Sequence, residues 1–288
     1  MKGIVLAAGK GSRLYPMTRP ICKPLLPVYD KPMIYYPISV LMQAGVRDIQ
    51  IIVPDGEIPT FTRLLGDGSQ WGIHISYAVQ RVPRGIADAF LVSADFIGDD
   101  SVALVLGDNI FYSLTLERIL RRARIQQDEL GGATVFGCYV RDPRAFGVVE
   151  FDDDGRVLSI EEKPRHPRSN YIIPGLYLYD SSVVEIARGL KPSARGELEI
   201  TDVNKEYLVR NQLQVIKFDR DFVWMDAGTA DNLLAAGQAV KRVQDETGRY
   251  VGCLEEIAYA RGYINDTQVM RLGESLRGTL YGEYLRCL

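Results

Sequence analysis

The sequence predicts an α/β fold, a sheet carrying helices on both faces. Between Lys2 and Val140, short apolar runs rich in β-branched residues alternate with amphipathic stretches of helical period, the pattern of strands joined by crossover helices. Size agrees, because 288 residues with 47% hydrophobic content supply enough apolar surface for a large buried core. No linker rich in Pro, Gly or Ser, internal repeat or low-complexity segment interrupts the chain, so it reads as one body carrying a tail.

In order, residues 2–7, 48–54, 73–79, 102–107 and 133–140 read as strands. Helices fit between them: 33–44 stops at Gly45, 86–96 stops near Gly98, and 114–127 sets a leucine/isoleucine face against an arginine-rich one. Beyond Val140 the pattern changes, and residues 146–151 and 157–162 form an expected hairpin closed by Asp154-Gly155. The adjacent Asp152, Asp153 and Asp154 are read as a solvated turn, because metal-binding loops space their ligands out. After Trp224-Met225-Asp226-Ala227-Gly228 a helix is expected over 230–247, then short helices to Leu288. The expected organisation is a body over 1–240, with halves of about 1–140 and 141–240, and a helical appendage over 241–288.

Composition excludes several classes. With 34 Lys and Arg against 37 Asp and Glu the net charge is -3, whereas a nucleic-acid binder carries a basic surplus or stripe. Cys22, Cys138, Cys253 and Cys287 lie far apart with no CxxC pair, which argues against a zinc cluster or disulfide framework and suits a reducing cytosol. His74 and His166 alone supply little for histidine-ligated metal chemistry or a histidine base. The start opens on a strand without an apolar signal core, and no run of about 18 apolar residues follows. A cytoplasmic protein without a membrane partner is expected.

The densest chemical signal is Ile4-Val5-Leu6-Ala7-Ala8-Gly9-Lys10-Gly11-Ser12-Arg13-Leu14, a strand running into a glycine-bearing turn, with Lys23 close behind. Gly9 and Gly11 let amide groups approach an anion, and Arg13 and Lys23 add mobile positive charge, so the loop is built for phosphate. It is not a Walker A loop, since Gly11 rather than Ser or Thr follows Lys10. Nor is it a dinucleotide fingerprint, whose third glycine would fall at Leu14. Ligands of α/β sheets sit past the strands' carboxyl ends, where this loop and Asp108 both fall. Taken alone, Asp108 is equally well read as a helix N-cap, Arg13 as a surface ion-pair partner, Lys163 as one end of a solvated Glu-Glu-Lys run and Arg195 as a loop arginine near a helix.

The glycine loop, followed by Pro16, Thr18 and Lys23-Pro24-Leu25-Leu26-Pro27, resembles the signature of the sugar-1-phosphate nucleotidyltransferases. The continuation from Val28 through Tyr29-Asp30-Lys31-Pro32-Met33 to Pro37 is similar to the bacterial glucose-1-phosphate thymidylyltransferases, and further motifs extend the likeness over nearly the whole chain. The resemblance implies a three-layer Rossmann-like nucleotidyltransferase fold with a mixed central sheet and a small C-terminal helical appendage. It implies transfer of a thymidylyl group from dTTP to α-D-glucose 1-phosphate, with Mg2+ as cofactor. Asp108 and Asp226 match the metal aspartates, and Arg13, Lys23 and Lys163 match the catalytic cations. Ala8, Gly9, Gly11, Ser12, Gln80 and Gly85 match nucleotide-binding positions. Asn109, Gly147, Glu162, Ile173 and Arg195 match the sugar-phosphate side, together with Lys163.

The chemistry is consistent with so little histidine. Joining two polyanions is a matter of positioning and charge neutralisation, and a sugar phosphate oxygen is already ionised at neutral pH. Departures from the family pattern weaken base preference most: Ala8, Lys10, Ser12, Cys22 and Pro24 all differ, and Pro24 lacks an amide side chain. A UTP-using glucose-1-phosphate uridylyltransferase is therefore an alternative, and a non-catalytic regulatory subunit on the same fold a more distant one. After Tyr112, Ser113-Leu114-Thr115-Leu116 departs from the family segment tied to a second, regulatory nucleotide site, so weak inhibition by dTDP-rhamnose is expected. The run over 277–285 keeps the family likeness, and a homotetramer is expected with it.

Overall fold

The structure is a computed structural model and describes residues 1–219 and 222–288. Its centre is the strand Lys2–Leu6, parallel to Asp48–Val53 on one side and to Val102–Leu106 on the other, with His74–Val79 parallel to Asp48–Val53 at the edge. These strands read as near-continuous apolar runs because both their faces are covered. Ile4 and Leu104 point into one core and Val5 and Val105 into the other, so three layers follow from the alternation of side chains along a strand. Helices Tyr35–Gln43, Ile58–Leu65 and Leu116–Leu130 cover one face, and Asp88–Val92, Ala94–Ile97, Val183–Gly189 and Ile200–Val209 the other.

Beyond Val102–Leu106 the sheet becomes mixed. Leu176–Tyr179 pairs antiparallel with it and with Ala133–Tyr139, which also takes Leu213–Lys217 in parallel. The carboxyl end of Ala133–Tyr139 continues through Tyr171–Ile172 to the hairpin Gly147–Phe151 and Val157–Glu162, completing ten strands. One sheet thus runs through both expected halves of the body. The hairpin turn is as read: Asp153 and Asp154 are exposed, and Asp152 Oδ1 accepts from the Arg156 amide at 2.7 Å.

The helices differ from expectation in places. The stretch 86–96 is two short helices, because Ser93 leaves helical dihedrals (φ -103, ψ 13) and starts a second turn. The helix Ile58–Leu65 was not anticipated, its first turn being entered through Pro59. Helix Ala230–Thr247 is as expected and ends at Gly248, joining the body to the C-terminal appendage. Its helices, Leu254–Ala260, Asp266–Ser275 and Leu280–Leu285, are not detached, since Leu254 and Ala258 share a core with Ile38 and Leu41. Among the described residues no helix is long and apolar enough to cross a membrane.

Candidate active site

From Lys2–Leu6 the chain builds outward through Asp48–Val53 to His74–Val79, then crosses back to Val102–Leu106 on the opposite side of the first strand. The connections leaving Leu6 and Leu106 therefore diverge, opening a crevice at the carboxyl ends. Gly107 N donates to Leu6 O at 2.9 Å and sets Asp108 beside the glycine loop.

The loop is wrapped on Lys23. Gly11 takes a left-handed conformation (φ 62) to start the turn Ser12–Leu14, and Thr18 Oγ1 donates to Gly11 O at 2.7 Å. Lys23 is buried, and its ammonium donates to Asp108 Oδ2. Asp108 Oδ1 accepts from Asn109 Nδ2 at 2.8 Å, so Asp108 caps no helix. Asn109 Oδ1 in turn accepts from Trp224 Nε1 at 2.7 Å and Gly175 N at 3.1 Å.

Asp226 reaches the same point through a two-stranded ladder. Asn109–Tyr112 pairs antiparallel with Val223–Asp226, with Asp226 opposite Asn109, and Ala227 N donates to Asp108 O at 3.0 Å. Gly228 makes the close approach possible: a Cβ there would lie 2.7 Å from Arg13 Nη2 and 2.8 Å from Asp226 Oδ1. Burial raises the proton affinity of the Asp226 carboxyl, and the negative Asp108 adds to that against the pull of Lys23 and Arg13. Among the described residues no three His, Cys, Asp or Glu side chains cluster as a metal cage. Asp108 and Asp226 together fit what magnesium takes, which is one or two carboxylates with the rest of the shell supplied by phosphate and water.

Two lobes meet at this point, one of about 720 Å3 and one of about 360 Å3, sharing Arg13, Ile86, Leu106, Asp108 and Glu197. Gly9, Lys23, Gln80 and Gly85 line the smaller lobe. Asn109, Gly147, Glu162, Lys163, Ile173, Arg195 and Asp226 line the larger. The structure brings together every expected position except three: Ala8 is buried beneath the loop, Gly11 shapes the turn, and Ser12 is exposed outside both lobes.

Lys163 is exposed at the end of the Glu161-Glu162-Lys163 run, and the backbone aims it at the larger lobe. It leaves the strand Val157–Glu162 in the left-handed region (φ 44), which costs a non-glycine residue about 1 kcal/mol, and Lys163 N donates to Phe146 O at 3.0 Å. Its Nζ lies 3.6 Å from Glu162 Oε1, and Glu162 Oε2 accepts from Thr201 Oγ1 at 2.5 Å. Arg195 is less free than expected of a phosphate ligand. Its Nη2 is shared among Glu199 at 2.8 Å, Glu197 at 3.2 Å and Glu162 at 3.5 Å, so an incoming anion must compete with carboxylates.

Sequence reasoning missed Asp88, Thr201 and Asn204, all buried polar groups beside the lobes. Thr201 and Asn204 stand one helical turn apart in Ile200–Val209, and Asn204 Oδ1 accepts from Tyr179 OH at 2.5 Å. A polar pair at that spacing amid Ile200 and Val203 was the available signal.

The nucleotidyl transferase family matches residues 2–243. A glucose-1-phosphate thymidylyltransferase of Neisseria meningitidis is 52% identical over 285 residues, covering 99% of this chain and 98% of that protein. One from Mycolicibacterium smegmatis is 51% identical with the same coverage. A solved structure from Bacillus anthracis, in complex with a sucrose, matches with a TM-score of 0.76 at 41% identity over 83% of this chain and 94% of that one. The solved UDP-glucose pyrophosphorylase complexed with UDP-glucose shares the fold, with a TM-score of 0.74 at 24% identity over 84% of this chain and 98% of its own. Sequence, fold and the meeting of two lobes at paired carboxylates agree, and the chain belongs to the nucleotidyl transferase family.

Proposed function

We propose that the chain transfers a thymidylyl group from dTTP to α-D-glucose 1-phosphate, releasing pyrophosphate. The observation that carries this is the convergence of Arg13, Lys23, Asp108 and Asp226 at the seam between the two lobes. The nucleotide occupies the smaller lobe with its base at Gln80 and Gly85, and the sugar phosphate the larger, against Glu162 and Lys163. The α-phosphorus then lies at the seam. An ionised oxygen of the sugar phosphate forms the new bond to it, and the bond to the bridging oxygen breaks as pyrophosphate leaves. No protein nucleophile or base is needed, and the work of the chain is alignment and charge neutralisation. Lys23 and Arg13 compensate the triphosphate, and Arg13 follows the charge onto the leaving pyrophosphate. Magnesium, held by Asp108 and Asp226, supplies further positive charge to the phosphates when bound.

One observation favours a second donor. Pro24 lines the smaller lobe where an amide side chain would add a polar contact, and thymine differs from uracil by a methyl that a pocket discriminates by only about 1 to 3 kcal/mol. UTP is therefore used alongside dTTP. The family likeness of 277–285 supports a homotetramer, and the dispersed cysteines support a reducing, cytoplasmic setting. Pyrophosphate release across dTTP, UTP, dCTP and ATP with several sugar 1-phosphates tests the assignment. Highest kcat/KM for dTTP with glucose 1-phosphate is expected, and a higher value for a different sugar or a purine triphosphate would overturn it.

A further inference from the structure

Gln80 is the side chain of the smaller lobe suited to reading a base edge, and its amide is not free to turn. It is buried, and its Nε2 donates to Asp88 Oδ2 at 2.8 Å. Asp88 is only 1% exposed, and its other oxygen accepts from Arg84 Nη2 at 2.7 Å. A carboxylate in an ion pair can only accept, so the nitrogen of the Gln80 amide, not its oxygen, must face Asp88. What remains for the lobe is Oε1 and the second N–H. The backbone holds this arrangement in place, since Leu198 N donates to Arg84 O at 2.6 Å and Ala87 N to Leu198 O at 3.2 Å.

We infer that Asp88 is a positioning residue that fixes the sense of the Gln80 amide and so sets which bases the site accepts. The inference rests on the nucleotide site proposed above and adds the group that determines its donor and acceptor order. A keto edge, as in thymine or uracil, presents a ring N–H beside a carbonyl oxygen, which match Oε1 and the second N–H. Cytosine presents a ring acceptor beside an amino group and requires the amide reversed. Reversal places Oε1 against the Asp88 carboxylate, two acceptors face to face in a buried site, and leaves that carboxylate without its donor.

The test is the ratio of kcat/KM for dTTP to that for dCTP, with glucose 1-phosphate as acceptor, in the unmodified protein, Asp88→Asn and Arg84→Ala. The unmodified ratio is expected to be about 100 or more, because a site built to hydrogen-bond one edge leaves polar groups unpaired against the other. Asp88→Asn preserves shape but gives Gln80 Oε1 a donor to face, which turns the amide NH2 toward the base. The ratio should fall by about tenfold or more, with KM for glucose 1-phosphate unchanged. Arg84→Ala, at a guanidinium reaching the surface, loosens Asp88 without opening the core and should move the ratio the same way by less. Calorimetric binding of dTTP and dCTP supplies the same ratio without turnover. A ratio unchanged within about threefold in Asp88→Asn, by turnover and by binding, overturns the inference. If the unmodified protein turns over no dTTP yet the binding ratio shifts, the activity reading fails and the role of Asp88 stands.

Discussion

The Lys23 ammonium rests on the Asp108 carboxylate, 85 positions away in sequence, so the glycine loop is fastened to the neighbouring strand end before any ligand arrives. Asp226 makes no ion pair of its own among the described residues, although Lys23 and Arg13 both act on its carboxyl from nearby. Two carboxylates at one point, with only one of them in an ion pair, are a donor set that would suit a divalent cation.

Asp108→Asn and Asp226→Asn are accordingly expected each to lower turnover by about 100-fold or more, as loss of a preorganised electrostatic group does. Asp226→Asn keeps shape and an acceptor oxygen, so its thermal midpoint should stay within about 4 °C of the unmodified protein, whereas Asp108→Asn turns an NH2 onto either Lys23 or Asn109 and should melt lower. Steady-state kinetics in magnesium beside a melting curve checks this, and near-normal turnover of either variant sinks the metal assignment.

The raised proton affinity of Asp226 gives a separate stability signature. A carboxyl that holds its proton more tightly folded than unfolded stabilises the fold below the unfolded value, near 4, and loses that stabilisation as pH rises through its raised folded value. Asp226→Asn cannot ionise and escapes the loss. With EDTA present, the variant should gain in midpoint over the unmodified protein as pH rises from about 4 to 7, and a constant gap would show that burial and Asp108 do not act on this carboxyl as described.

On the proposed function, Arg13 and Lys163 would divide the anion between them. Arg13 lies at the seam, where charge would develop on the departing pyrophosphate, whereas Lys163 stands beside Glu162 in the larger lobe. Arg13→Ala should lower kcat, and Lys163→Ala should mainly raise KM for glucose 1-phosphate, each by about tenfold or more. Lys163→Gly relieves the left-handed backbone while removing the charge, and so separates strain from electrostatics. Equal effects of the two alanine substitutions on both constants would remove the distinction.

Much of this was legible because it is local. The strand-turn-glycine run at Ile4–Arg13 and the position of Asp108 at a strand end are adjacent in sequence to the periodicity that defines the sheet. The meeting of Asp226 with Asp108 came only from the family resemblance, because it depends on the antiparallel ladder of Asn109–Tyr112 with Val223–Asp226, two short segments whose pairing no local pattern specifies. The network Arg84, Asp88 and Gln80 was hidden for a related reason. An Asp in the first turn of a helix reads as a favourable dipole partner, and only the fold turns it inward onto an amide. The break at Ser93 escaped because propensity locates helices better than it locates their ends, whereas the long helix over 230–247 was legible from its periodicity.

The cysteines differ in reactivity. Burial, with Glu57 nearby, pushes the Cys22 thiol up to about 12, burial pushes Cys138 up to about 11, and burial with Glu255 raises Cys253 as well. Cys287 is exposed. Because the thiolate is the reactive form, iodoacetamide at pH 8 should label Cys287 first and leave the other three largely unmodified. Peptide mapping after a short exposure reads this directly, and comparable labelling of Cys22 would contradict it.

Lys31 ties the appendage to the body, and its loss should be felt in both. It is buried, pairs with Asp30 and donates to Val251 O at 2.9 Å. Its ammonium also lies over the rings of Tyr36 at 5.2 Å, Tyr250 at 5.7 Å and Tyr281 at 5.6 Å, so one charge contacts residues from both ends of the chain. Burial lowers its proton affinity and Asp30 opposes that, as expected of a cation kept charged by its partner. The junction extends further, because Tyr281 OH and Trp71 Nε1 both donate to the Glu255 carboxylate, at 2.6 and 2.9 Å. Lys31→Ala leaves Asp30 without its cation and opens a void among three rings, a combination that costs about 3 to 5 kcal/mol. In a chain of this size that corresponds to a fall of about 10 °C in thermal midpoint. Lys31→Met fills the void but not the charge and should recover part of it, whereas Lys31→Arg should not, since a planar guanidinium cannot serve a carbonyl, a carboxylate and three rings from one point. Melting curves of the three variants check the order, and a midpoint for Lys31→Ala equal to that of the unmodified protein would mean that the appendage is held by apolar packing around Leu254 and Ala258 alone.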